Sequence, residues 1–193
     1  MDRKQQILEA AKRMMDEHGM QAVSVRSVAA AAGIGPSTLR YYFPTQQALF
    51  DALAQHFVDE ISDTIAFDPE HPRQYLETAL AQLCPMESNQ RRQAREGLIL
   101  LLQHVDEFET PPVEAQKYIE QLQLKITHWL HTLEQHNVRL IAPVSQLTLV
   151  ADAFMNGLSY GIVTGIYQPM QATQALRDFV ASIVPNPTTG GGQ

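Results

Sequence analysis

A chain of 193 residues with 45% hydrophobic content is long enough to close one or two cores and too apolar to stay disordered. Its single cysteine, Cys84, excludes an internal disulfide framework and fits a reducing compartment, and its longest strongly apolar run, residues 98–102, falls far short of a membrane span. The net charge of −7 argues against nucleic acid until it is divided along the chain. Residues 1–50 carry six Lys/Arg against four acids, whereas residues 51–193 carry eight against seventeen.

The N-terminus lacks an apolar signal region: Met1-Asp2-Arg3-Lys4 runs straight into an amphipathic pattern, so a cytoplasmic protein with no membrane partner is expected. That pattern predicts a first helix over 3–18, with Ile7, Leu8, Ala11, Met14 and Met15 inward and Gly19 as its stop. Ser24 then suits an N-cap, because its hydroxyl accepts from a free backbone N–H. Val25, Val28, Ala29 and Ala32 share one face of the helix it opens, and Gly33 suits the left-handed position that closes it. Ile34 plugs the turn. Gly35 and Pro36 fit the N-cap and first position of a third helix, which Pro44 stops. Two short helices joined by so tight a turn are the layout whose second helix enters the DNA major groove.

Thr45 caps a fourth helix, expected to run to about 67 with Leu49, Phe50, Leu53, Phe57 and Ile61 on one face. Helices are then expected over 72–84, 89–108, 113–136, 145–167 and 172–184, with residues 97–102 apolar all round as in the centre of a bundle. No segment shows strand alternation. The fold class is therefore all-α with about nine helices, a three-helix head and a C-terminal helical bundle. The domains are 1–46, with a connecting helix from 45 to about 67; 47–185; and a disordered tail at 186–193.

Ile7 and Ala10-Ala11, Gly19, Val25-Arg26-Ser27-Val28-Ala29, Ala32-Gly33-Ile34, Thr38-Leu39, Tyr42-Phe43-Pro44 and Ala48-Leu49-Phe50 occur in this order. With them, residues 5–55 resemble the head of the TetR family of bacterial transcription regulators. The resemblance implies a ligand-responsive regulator, most often a repressor. Such a protein binds a palindromic operator as a homodimer and is released by a small-molecule effector. It departs from the family at Gly35, where Ser is usual, at Arg40, where Tyr is common, and at Gln46, where Lys is common. Arg40 is a stronger ligand for phosphate or guanine than Tyr, while Gln46 offers only a neutral hydrogen bond.

The DNA-facing candidates are Arg26, Ser27, Pro36, Ser37, Thr38, Arg40, Tyr41, Tyr42 and Gln46. They combine cations, hydroxyls and aromatic rings on the second and third helices and at the start of the fourth. Effector candidates in the body mix aromatic, sulfur and polar groups: His104, Phe108, Tyr118, Trp129, Met155, Asn156 and Tyr160. Ala153, Gly157, Gly161 and Gly165 recur every four residues, and glycine costs about 1 kcal/mol in a helix, so the seam implies close helix approach. The seam can face a dimer partner or the bundle interior; the resemblance favours a dimer interface built from the last two helices, with Ala153, Gly157, Gly161, Phe179 and Ile183 as its contacts.

An enzyme lacks its parts here: there is no Gly-rich phosphate loop, GxSxG or HExxH. His128 and His131 are spaced i, i+3 but lack defined third and fourth ligands, so no metal and no cofactor is expected. A helical interaction protein that keeps the head as a relic is the remaining alternative.

Overall fold

The computed structural model describes residues 2–62, 64–103 and 113–185. Among them the chain forms nine α-helices, a 3₁₀ turn at Met20–Ala22 and no strand. It divides into two compact units, Met1–Glu60 with Glu87–Tyr118 and Ile61–Met86 with Ile119–Gln193.

In the first unit α1 (Arg3–His18) buries Ile7, Leu8, Ala10, Ala11 and Met15, spaced as one helical stripe. Gly19, at φ 84, ends it. Next come α2 (Val25–Ala31), α3 (Pro36–Tyr42) and α4 (Gln46–Glu60). The Thr45 hydroxyl caps α4, accepting from the Ala48 N–H at 3.0 Å. Ile7, Met15, Val28, Leu39, Phe43, Leu49 and Leu53 from these four helices make one core. Fully burying such side chains contributes about 1.5–3 kcal/mol each, which is what holds helices as short as α2 and α3 in place.

Two expectations are corrected here. The fourth helix stops at Glu60 rather than running to about 67. The Ser62 N–H is taken by the Gln82 side chain at 2.9 Å, and Gln82 Nε2 donates back to the Ser62 carbonyl at 3.3 Å, so helical pairing gives way to a long-range partner. Ile61, Ile65 and Phe67 accordingly pack on the core of the second unit. The sixth helix, α6 (Ser88–Gln103), belongs to the first unit and is not the centre of the body bundle. Its polar first half needs polar partners and finds them around the end of α1. Arg92 donates to the Asp16 carbonyl, Gln93 to the Asp16 carboxylate, and the Glu96 carboxylate accepts from the Met20 N–H. Ile99, in the apolar second half, is half exposed.

The second unit holds α5 (Pro72–Ala81), most of α7 (Val113–Gln135), α8 (Val144–Thr164) and α9 (Pro169–Ile183). Its core joins Leu76 and Leu80 with Ile126, Trp129, Leu130, Leu133, Leu147, Met155, Leu176 and Val180. Arg73 Nε donates to the Val184 carbonyl at 2.7 Å, tying α5 to the end of α9. Asn137, at φ 59, closes α7: its N–H reaches the Glu134 carbonyl and the Val138 N–H reaches that of Leu133, a Schellman ending. Gly165 adopts φ 80 and caps α8, so it is a stop rather than a fourth member of the glycine seam. No helix among the described residues is long and apolar enough to cross a membrane. The tail at 186–193 lies outside the described residues.

Candidate nucleic-acid interface

The Ser24 hydroxyl accepts from the Ser27 N–H at 3.1 Å, and Ser27 Oγ accepts in return from the Ser24 N–H at 3.0 Å. Ser27 Oγ also donates to the Ala22 carbonyl at 2.6 Å. Its hydroxyl is thus committed to a capping box at the start of α2, and Ser27, a DNA-facing candidate, instead positions the helix. At the other end Gly33 has φ 65; its N–H reaches the Ala30 carbonyl and the Ile34 N–H reaches that of Ala29. This Schellman closure turns the chain within a few residues, and Pro36 starts α3 without an N–H to satisfy.

Successive residues of α3 rotate by about 100°, which sorts its side chains. Leu39 is fully buried and Phe43 is 2% exposed, locking the helix to the head core. Ser37, Arg40 and Tyr41 share the opposite face and are exposed, Tyr41 to 82%. Pro36 and Thr38 flank that face, exposed. Tyr42 is half-buried against the core, its ring edge-on to Tyr41 at 5.2 Å and 89°. Arg26 stands exposed in the first turn of α2. Gln46 donates its side-chain amide to the Val23 carbonyl at 3.4 Å, bracing the entry to α2 where a lysine would have projected. Lys4, absent from the candidates drawn from the sequence, lies 5.8 Å from the centre of the Phe43 ring and brings a cation to the end of α3. Only a cation and an aromatic ring far apart in sequence signal it.

The effector candidates do not converge. Trp129 and Met155 are buried in the second core, and the indole N–H of Trp129 has no hydrogen-bond partner among the described residues. Asn156 and Tyr160 face outward instead, because the residue after inward Met155 is turned by about 100°. Asn156 donates to Asp152 at 3.2 Å, and Tyr160 is 53% exposed. Tyr118 is partly exposed, and desolvation raises its phenol above the ordinary tyrosine value. His104 and Phe108 lie outside the described residues.

Of the dimer candidates, Ala153 and Gly157 are exposed. Phe179 is half-buried and stacks on Phe154 at 4.2 Å. Gly161 is covered by Tyr167 of its own chain and Ile183 is 2% exposed, so these two serve their own unit. No group of three or more His, Cys, Asp or Glu among the described residues is arranged to hold a metal.

Residues 7–53, which hold both short helices and this outward face, match the tetR family of bacterial regulatory proteins. The head of the chain is thus similar to that of TetR-family regulators. It is 42% identical over 64 residues to the HTH-type transcriptional regulator PksA of Bacillus subtilis (strain 168). That stretch is 33% of this chain, and it spans about a third, 31%, of that relative. The whole-chain fold is similar to a putative transcriptional regulator from Saccharomonospora viridis solved in complex with choline, at TM-score 0.67 and 21% identity over 95% of this chain and 98% of that one. It is also similar to AibR, solved in complex with isovaleryl coenzyme A and operator DNA, at TM-score 0.51 and 18% identity over 95% of this chain and 99% of that one. The matched family and PksA are named as bacterial regulators, and the Saccharomonospora viridis protein as a putative transcriptional regulator.

Proposed function

We propose that the protein is a ligand-responsive transcription regulator, a repressor that binds a palindromic operator as a homodimer and leaves it when a small molecule binds the second unit. The observation that carries this reading is α3: a helix held by buried Leu39 and Phe43 that presents Ser37, Arg40 and Tyr41 to solvent. Arg40 supplies a bidentate donor for guanine or phosphate, and the Tyr41 ring and hydroxyl suit a thymine methyl and a phosphate.

A second copy completes the binding unit. In α8 the one charged residue is Asp152, and its carboxylate is engaged by Gln123 and Asn156. The outward face of α8 carries Leu149, Val150, Ala153, Gly157 and Tyr160, an uncharged surface that a twin helix would cover. Two heads related by a two-fold axis read successive major grooves about 34–36 Å apart, which makes the operator a near-palindrome.

The effector reading rests on Trp129. A buried N–H without an acceptor costs about 1–3 kcal/mol, and a ligand oxygen would remove that cost. That one structural neighbour holds choline and another a coenzyme A thioester supports a ligand in this class of body. By linkage, a ligand that favours the DNA-incompetent state is itself weakened by DNA by the same factor.

The test is a gel shift against DNA upstream of the protein's own gene, at two salt concentrations, with wild type and Arg40→Ala. Loss of about 1–3 kcal/mol is expected if Arg40 reads a base, and a uniform loss with a shallower salt slope if it holds phosphate. Unchanged binding by Arg40→Ala would refute the assignment of α3.

A further inference from the structure

A groove of about 750 Å³ runs along the second unit between α7 and the start of α8, on the side of α7 away from Trp129. Its long wall is a single stripe of α7: Glu120, Leu124, Thr127, His131 and Glu134. At a rise of about 1.5 Å per residue, Glu120 and Glu134 stand about 21 Å apart along the helix, and at 3.6 residues per turn they point within about 40° of each other. One carboxylate therefore marks each end of the stripe.

Between them the wall changes character. Leu124 is 67% exposed, an apolar side chain left open in mid-groove. The Thr127 and Thr148 hydroxyls join the two helices at 3.0 Å and leave oxygen lone pairs along the floor. His131 Nδ1 lies 3.0 Å from one oxygen of Glu134, leaving the other oxygen to accept. Gln123 donates to Asp152 at 2.9 Å, which sets a third carboxylate beside the groove. No Lys or Arg lines it. The second unit as a whole has eight Asp/Glu against four Lys/Arg, so the long-range field has the same sign.

We infer that this groove binds a linear polyamine. A compact cation satisfies one end and leaves the other carboxylate idle. An anion meets only like charge. A neutral lipid chain would place methylenes against both carboxylates. A chain of ammonium groups separated by short methylene segments matches the order carboxylate, apolar side chain, hydroxyls, carboxylate. Its terminal cations meet Glu120 and Glu134, its methylenes lie on Leu124, and an inner ammonium donates to the threonine oxygens. The proposal does not rest on operator binding and stands or falls separately from it.

The experiment is calorimetric titration of the full-length protein with spermine and, as a short control, putrescine, at low and high salt. Variants are Glu120→Gln, Glu134→Gln, both together, Leu124→Lys, and Asp178→Asn on α9 outside the groove. Every substituted position is exposed, so circular dichroism should show unchanged helicity. Saturable binding of one spermine per chain is expected, tighter than putrescine and weaker in salt. Each glutamine should weaken it about two- to five-fold, the pair more, and Leu124→Lys should abolish it. Asp178→Asn should leave it unchanged. Equal weakening by Asp178→Asn would mean nonspecific screening of an acidic protein and would overturn the site. So would unsaturable binding, or a groove shielded by a second copy so that spermine binds only on dilution to monomer.

Discussion

The ring of Tyr167 lies on Gly161: a Cβ added there would overlap Cδ2 and Cε2 of that ring. The Tyr167 N–H also donates to the Gly161 carbonyl at 3.0 Å, so one glycine both admits the ring and anchors the turn into α9. Gly161→Ala should therefore destabilise the fold by about 1–3 kcal/mol, as overpacking does, despite alanine's better helix propensity. Tyr167 is 44% exposed and can be removed at modest cost. The double variant Gly161→Ala/Tyr167→Ala should lose less than the sum of its parts. Urea unfolding of the four proteins measures this, and an additive result would deny the contact.

The same helix separates two roles that the glycine spacing merges. A Cβ added at Gly157 would meet nothing within 4 Å, and this glycine sits on the uncharged outward face with Leu149 and Val150. Val150→Glu and Gly157→Glu should give monomers at micromolar concentration with helicity retained, because a carboxylate at a buried twin interface is left without a partner. Sedimentation velocity reads the outcome, and dimers persisting in both variants would place the interface elsewhere.

The helix-turn-helix is legible in the sequence because its boundaries are chemical and local. Ser24, Gly33, Pro36 and Pro44 act within a few residues, and the structure uses each where the spacing puts it. The end of α4 is not legible. Leu53, Phe57, Ile61 and Ile65 continue a helical spacing of four, yet the first two pack on one core and the last two on the other. What stops the helix is an amide twenty residues downstream, Gln82. The home of α6 is hidden for a related reason: its partners Asp16 and Met20 lie more than seventy residues away and leave no periodic trace. The effector set divides on rotation: Met155 is buried in the second core, while adjacent Asn156, turned by about 100°, is exposed.

Cys84 is 4% exposed within the second core, and burial pushes its thiol up to about 12. Reactivity requires the thiolate, so at pH 8 the native thiol should react with Ellman's reagent far more slowly than the same thiol in urea. The rate should follow opening of the second unit. Rapid labelling of one thiol per native chain would contradict the packing of α5 on α8 and α9.

Asp68 and His71 form an exposed pair ahead of α5, with His71 Nδ1 2.8 Å from Asp68 Oδ2 and the Glu70 N–H 2.9 Å from Asp68 Oδ1. The hydrogen bond with Asp68 raises His71 above its ordinary 6.5, and the same bond lowers Asp68 below its ordinary 3.8. A raised histidine contributes in full below its unfolded value and fades as pH climbs through the folded one. A lowered carboxylate contributes in full above its unfolded value and fades as pH falls through the folded one. The pair thus supports the start of α5 between the ordinary values of the two groups, 3.8 and 6.5, and extends somewhat beyond each. Both groups are exposed, so the effect should be local and reduced by salt. An NMR titration of the His71 imidazole should show its midpoint fall in Asp68→Asn and fall partway in wild type as salt is added. A midpoint that is the same in both proteins would show that the two side chains do not meet in solution.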